Sequence, residues 1–172
     1  TPTSGSVAVF EDDDNTELSL LGGSSSILAI NFGHSGDADD GIISYNTTGS
    51  SEAMMFTVNA AERMRIDTSG NVLVGHTDYS TAVDDGSTGV TLGANGRFTA
   101  GRDNNTVAYF NRENGDGDII EYRKDGSTVG YIGTGNSGDL YIGNDDTGLM
   151  FIGGSDAIVP TNQTSLRNDA ID

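Results

Sequence analysis

Apolar and polar residues alternate in this chain only over runs of three to six positions, each closed by Gly, Asp, Asn or Ser. Runs of that length are too short for helices and suit strands separated by tight turns. Glu62 to Gly75 show the pattern most plainly. Met64 and Ile66 alternate with Arg63, Arg65 and Asp67, Ser69-Gly70-Asn71 supplies a turn, and Val72-Leu73-Val74 returns. The stretch predicts a hairpin-like corner and contains no catalytic group.

Similar runs at residues 7–10, 17–21, 27–32, 42–45 and 54–58 fill out a first β-module over residues 1–78. Residues 51–65 also place Met54, Val58, Ala61 and Arg65 at helical spacing, but Phe56-Thr57-Val58 favours β-structure and no cap follows Asn59, so two strands are expected. A Ser/Thr/Asp/Gly cluster marks a linker at 79–88. Strand runs resume at 89–92, 97–100, 107–110, 119–122, 129–132, 140–142 and 149–152, giving a second module over 89–154. The polar segment 155–172, with Pro160, is expected to lead into a further domain.

The second module repeats an aromatic-Ile-Gly triplet every ten residues, as Tyr131-Ile132-Gly133, Tyr141-Ile142-Gly143 and Phe151-Ile152-Gly153. That spacing suits strand, turn and return on one ladder. Longer echoes join the modules: Ile42-Ile43-Ser44-Tyr45 matches Ile119-Ile120-Glu121-Tyr122, and Gly70 and Gly75 after Ile66 match Gly96 and Gly101 after Leu92.

Leu, Ile, Val and Phe make up 37 of the 172 residues, close to the roughly 20% below which a charged chain does not fold. One copy alone would have a thin core. The 25 glycines fit many tight turns, and with eight basic against 26 acidic residues the net charge of −18 disfavours nucleic acid and anionic membranes as partners. No cysteine is present, so disulfides and thiolate metal sites are excluded. No apolar run approaches the roughly 20 residues of a membrane span, so membrane insertion is not expected. The first residues lack the charged and apolar regions of a signal peptide, and the chain starts as though cut from something longer. An extracellular location is allowed, and if the chain is secreted a route without a signal peptide, such as virion assembly and lysis, must carry it out.

Ile30-Asn31-Phe32-Gly33, Gly36 to Tyr45, Met55 to Asn59 and Glu62 to Gly75, in that order and spacing, resemble shaft modules of bacteriophage tail fibres. Modules of this kind lie upstream of endosialidase-type intramolecular chaperone domains. The likeness is specific over residues 27–75 and diffuse over 89–154. It implies an all-β, elongated, intertwined homotrimeric fibre, either a triple β-helix or stacked short-strand modules, without substantial helix. It further implies a virion component that contacts other tail proteins and a host-surface glycan or protein. Pooling three thin apolar sets along one axis makes an adequate core and shields strand edges. Met64, Ile66, Val72, Val74, Ile132, Ile142 and Ile152 are the expected trimer core. Three copies at −18 each carry −54, which favours a soluble, unbundled rod. The alternative class is an extracellular adhesin or filament subunit stabilised by calcium.

Chemistry has little purchase in the sequence. His34 and His76 stand apart without a third ligand and are expected to be exposed turn residues. Among the acidic clusters, Asp37, Asp39, Asp116 and Asp118 are the first places to look for Ca²⁺, although EF-hand and β-roll spacings are absent. Otherwise no cofactor is expected. No tryptophan is available to stack on sugar and no G-x-S-x-G elbow occurs, so neither a polysaccharide-degrading tailspike nor any other enzyme is expected. Tyr131, Tyr141 and Phe151 are expected in the core of a β-ladder. Arg63 and Arg65 should share one strand face and pair with carboxylates between subunits.

Overall fold

Short alternating runs with turn residues between them have one economical solution, the antiparallel meander, and the computed structural model adopts it twice. The structure describes residues 14–79, 88–144 and 147–161. The chain divides after Val107 into two units.

The first unit carries β1 (Ile27–His34), β2 (Asp37–Asn46), β3 (Ala53–Val58), β4 (Ala61–Asp67), β5 (Val72–Val74), β6 (Gly89–Leu92) and β7 (Phe98–Gly101). They form one sheet in chain order, every pair antiparallel. A 3₁₀ turn, Gly49–Ser51, precedes β3. The helical spacing over 51–65 is overridden because Asn59 and Ala60 both adopt positive φ, 53° and 56°. A two-residue loop with both φ positive matches the twist of a hairpin and ends any helix. The strands on either side of the linker expected at 79–88 belong to one sheet, since Val72, Leu73 and Val74 pair with Leu92, Thr91 and Val90, and residues 80–87 of that linker lie outside the described residues. Local composition marks a loop there but carries no information on which strand lies beside β5.

The corner at residues 67–71 is used twice. The Asp67 N–H donates to the Asn71 carbonyl (3.0 Å) and the Gly70 N–H to the Asp67 carbonyl (2.9 Å). In the β6–β7 hairpin the Gly93 N–H donates to Arg97 (2.7 Å) and the Gly96 N–H to Gly93 (2.9 Å). Gly70 and Gly96 occupy the same position in each, at φ 82° and 84°, where a Cβ would be strained. Buried Asn71 ties the two turns together: its Oδ1 accepts the Ala94 N–H (2.9 Å), and its Nδ2 donates to Asp67 Oδ2 (2.8 Å).

Asp67 Oδ1 accepts the N–H groups of Ser69 and Asn71, each at 2.9 Å. Burial by itself pushes the Asp67 carboxyl up, but hydrogen bonds from Asn71, Ser69 and Gly70 outweigh it and hold the group below its ordinary value. A carboxyl whose folded value is depressed contributes stability that is fully present above its unfolded value and is lost as pH falls through the folded one. Asp67→Ala is therefore expected to cost about 2 kcal/mol at neutral pH, measured by urea unfolding. The deficit should shrink in acid, where the wild-type carboxyl is protonated as well.

The second unit holds β8 (Gly117–Lys124), β9 (Ser127–Gly135), β10 (Asp139–Gly143), β11 (Gly148–Ile152) and β12 (Ala157–Thr161), again paired in chain order. Here the triplet repeat has a specific use. Antiparallel pairing of Tyr131-Ile132-Gly133 with Tyr141-Ile142-Gly143 sets Tyr131 opposite Gly143, Ile132 opposite Ile142 and Gly133 opposite Tyr141. Each aromatic therefore faces a glycine. A Cβ on Gly133 would fall 2.9 Å from Tyr141 Cε1 and 2.5 Å from the Gly117 carbonyl oxygen, so the ring occupies the space a side chain would need. The Tyr141 hydroxyl continues across β9 and donates to Asp118 Oδ1 on β8.

Two expected runs turn out differently, and a third is not described. Residues 17–21 and 107–110 pair with no strand, and residues 7–10 lie outside the described residues. Strand preference by itself, without a paired neighbour, does not make a strand. The segment expected to lead into a further domain supplies β12 at its start, where Pro160 is tolerated because β12 is an edge strand.

Candidate assembly surface

The registers of the first sheet place apolar side chains in two unbroken rows on one face. One row runs Ile30, Ile43, Phe56, Met64, Val74, Val90, Ala100, and the other Leu28, Tyr45, Met54, Ile66, Val72, Leu92, Phe98. Each crosses all seven strands, about 29 Å at 4.8 Å per strand. No position in either row is charged, in a chain with 34 ionisable Asp, Glu, Lys and Arg residues. The buried Ser44, Ala53, Leu73 and Thr91 point to the opposite face, with Leu73 at 0% exposure.

The rows themselves stay wet. Ile66 is 38% exposed, Val74 42% and Phe98 60%. At roughly 1 kcal/mol for each half-exposed side chain, fourteen positions hold on the order of 10 kcal/mol of unrealised hydrophobic stabilisation. That is comparable with the whole net stability of an ordinary domain. The core of a single chain is correspondingly small: the fully buried apolar side chains among the described residues are Ala53, Leu73, Tyr141 and Met150. Leu18 and Leu20, in a segment without strand pairing, reach over Leu28, Ile30, Ile43 and Met54 but leave a gap of about 230 Å³.

The second sheet repeats the arrangement with Ile120, Ile132, Ile142, Leu149 and Pro160 in one row and Leu140, Phe151 and Ile158 in the next. Thus Met64, Ile66, Val72 and Val74 share one face of the first sheet, and Ile132 and Ile142 share one face of the second. Ile152 does not join them. The three-residue turn between β9 and β10 preserves odd-even parity, whereas the four positions between Gly143 and Gly148 reverse it, so Leu149 and Phe151 face with Ile142 and Ile152 lies with Met150 on the other side. A ten-residue period read along the chain misses that reversal.

The arginines differ from expectation as well. A bulge opposite Phe56 and Thr57 displaces Arg63 from the ladder, and its Nε donates to the Val58 carbonyl (3.3 Å). Arg65 forms a two-pronged pair with Glu62 of the same chain, Nε to Oε1 at 2.6 Å and Nη2 to Oε2 at 2.7 Å. That hydrogen bonding raises the Arg65 pKa against the opposing effect of burial.

The candidate calcium ligands are engaged locally. The backbone N–H of Asp39 holds the Asp37 carboxyl below its ordinary value, while the hydrogen bond to Asp37 and its charge push Asp39 up. Asp116 Oδ2 accepts the Ser137 N–H (2.7 Å), and Asp118 accepts the Tyr141 hydroxyl. Asp116, Asp118, Thr134, Asn136 and Tyr141 line an open cleft of about 300 Å³. Among the described residues, no group of three or more His, Asp or Glu side chains converges as a metal site would require. His34 bonds Asp40 Oδ2 at 2.7 Å on the exposed β1–β2 hairpin. His76, expected in solvent, is half-buried: Nδ1 lies 2.7 Å from the Asp78 carbonyl, and Nε2 lies 3.1 Å from the Val90 carbonyl and 3.0 Å from Thr91 Oγ1. It joins the two ends of the β5–β6 connection. No described helix is long and apolar enough to cross a membrane.

The chemistry available to this surface is association by burial. Comparison with known proteins found no matching family model, no similar curated protein and no similar solved structure.

Proposed function

We propose that the chain is a structural segment of an elongated, intertwined homotrimeric β-fibre of the bacteriophage tail-fibre kind. It gives reach, contributes to host-surface attachment and performs no chemistry of its own. The observation that carries the reading is the pair of charge-free apolar rows crossing the seven-stranded sheet, half-exposed in one chain. Rows perpendicular to the strands suit an assembly whose axis also lies across them, so that each added hairpin lengthens the shared core. The resemblance of the motifs over residues 27–75 to tail-fibre shaft modules suggests the phage assignment, and the negative charge outside the rows suits an extracellular rod. Partners in this reading are two further copies, neighbouring virion tail proteins and a host-surface glycan or protein.

Light scattering on the purified chain is expected to give the mass of three copies at micromolar concentration. A stable, soluble monomer under those conditions would overturn the fibre reading.

A further inference from the structure

The chain contains two Asn-Gly pairs, Asn95-Gly96 and Asn114-Gly115, and the fold treats them in opposite ways. We propose that Asn114 is a site of spontaneous covalent modification, converting to aspartyl and isoaspartyl forms, and that Asn95 is protected by its turn. The inference is independent of the fibre reading.

In the reaction the amide nitrogen of the following glycine attacks Cγ of the asparagine. A new N–Cγ bond forms, the Cγ–Nδ2 bond breaks, and ammonia leaves carrying the glycine amide proton delivered through solvent. Water then adds to either carbonyl of the cyclic imide and opens it to aspartate or isoaspartate. Water is the sole co-reactant. Glycine is the favourable successor because no Cβ crowds the attacking nitrogen.

At Asn95 both reacting groups are held. The Gly96 N–H donates to the Gly93 carbonyl at 2.9 Å, and Asn95 Oδ1 accepts the Arg97 N–H at 3.1 Å. Asn95 Nδ2 also reaches the Tyr79 hydroxyl at 3.5 Å, and the Arg97 guanidinium stacks 4.6 Å from the same tyrosine ring. Attack there requires the β6–β7 turn to open.

At Asn114 neither group is restrained. The residue is exposed in the strand-free stretch before β8, with φ 61°, followed by Gly115 at φ 79°. Neither the Asn114 side chain nor the Gly115 N–H has a hydrogen-bond partner among the described residues, and only the Gly115 carbonyl is engaged, by Arg112 Nε at 3.3 Å. Each conversion adds one negative charge, and the isoaspartyl product adds a methylene to the main chain.

The test is incubation of the whole chain at mildly alkaline pH, followed by peptide mass mapping at intervals, in native buffer and in concentrated urea. In native buffer Asn114 should convert faster than Asn95 by about tenfold or more, the factor expected when one site must first open a hydrogen-bonded turn. In urea the two rates should converge. Equal rates in native buffer, or no conversion at Asn114, would overturn the proposal. So would a ratio that persists in urea, because neighbouring sequence and not the fold would then set it.

Discussion

Glutamate at position 74, introduced as Val74→Glu, is expected to leave the chain folded and to break up the trimer proposed above. Val74 stands mid-row between Met64 and Val90, and at 42% exposure in a single chain its replacement keeps the carboxylate in water. In an assembly that covers the row, the same carboxylate is buried without a counter-ion, at about 3 kcal/mol or more per chain. Three copies lower the association constant by roughly six orders of magnitude. If the wild-type chain is the trimer proposed above, light scattering should therefore move from three copies to one while far-UV circular dichroism keeps its β signature. Thr68→Glu, in the exposed turn beyond β4, should leave the mass unchanged. A trimeric Val74→Glu would remove this face from the interface without touching trimerisation itself.

Removing the Tyr141 ring should be the most damaging single truncation within the second unit. The side chain is 1% exposed, lies over Gly133 and ends on Asp118, so it links three strands in one register. Tyr141→Ala is expected to cost about 3–5 kcal/mol in urea unfolding, the range for deleting a buried aromatic. Gly133→Ala attacks the same arrangement from below. The added Cβ meets the Gly117 carbonyl oxygen at 2.5 Å and Asp118 Cα at 2.9 Å, backbone atoms that cannot rotate away, so about 2–3 kcal/mol should be lost to overpacking. Combining the two should cost less than their sum, because without the ring one of the clashes disappears.

Much of this was legible in the sequence because antiparallel hairpins are local. Alternation located most strands, and the spacing of Gly70 after Ile66 and Gly96 after Leu92 disclosed a turn that the structure repeats bond for bond. Ile132 and Ile142 share a face because the turn between their strands preserves parity, whereas Ile152 falls on the other face because a four-position connection reverses it. Nothing local announces that reversal. The join between β5 and β6 was hidden for a related reason, since pairing across a long connection leaves no trace in composition. The partners of Asp118 and Arg65 were equally out of view. Asp118 meets Tyr141 only because both lie level with Gly133, on the strands either side of β9, and Arg65 meets Glu62 only because a bulge shortens the distance along β4.

Every strand in both sheets pairs only with its predecessor and successor in the chain. Folding kinetics follow from that order. Each hairpin closes over a short loop, so the entropy lost before the first contacts form is small, and low contact order favours rapid formation. A chain emerging from synthesis can therefore lay down strand after strand without waiting for residues not yet made. The exception is the step from β5 to β6, which must close the longer connection between Val74 and Gly89. Within the first unit that closure is the natural slow step, and the sheet can be expected to grow as two blocks that meet there.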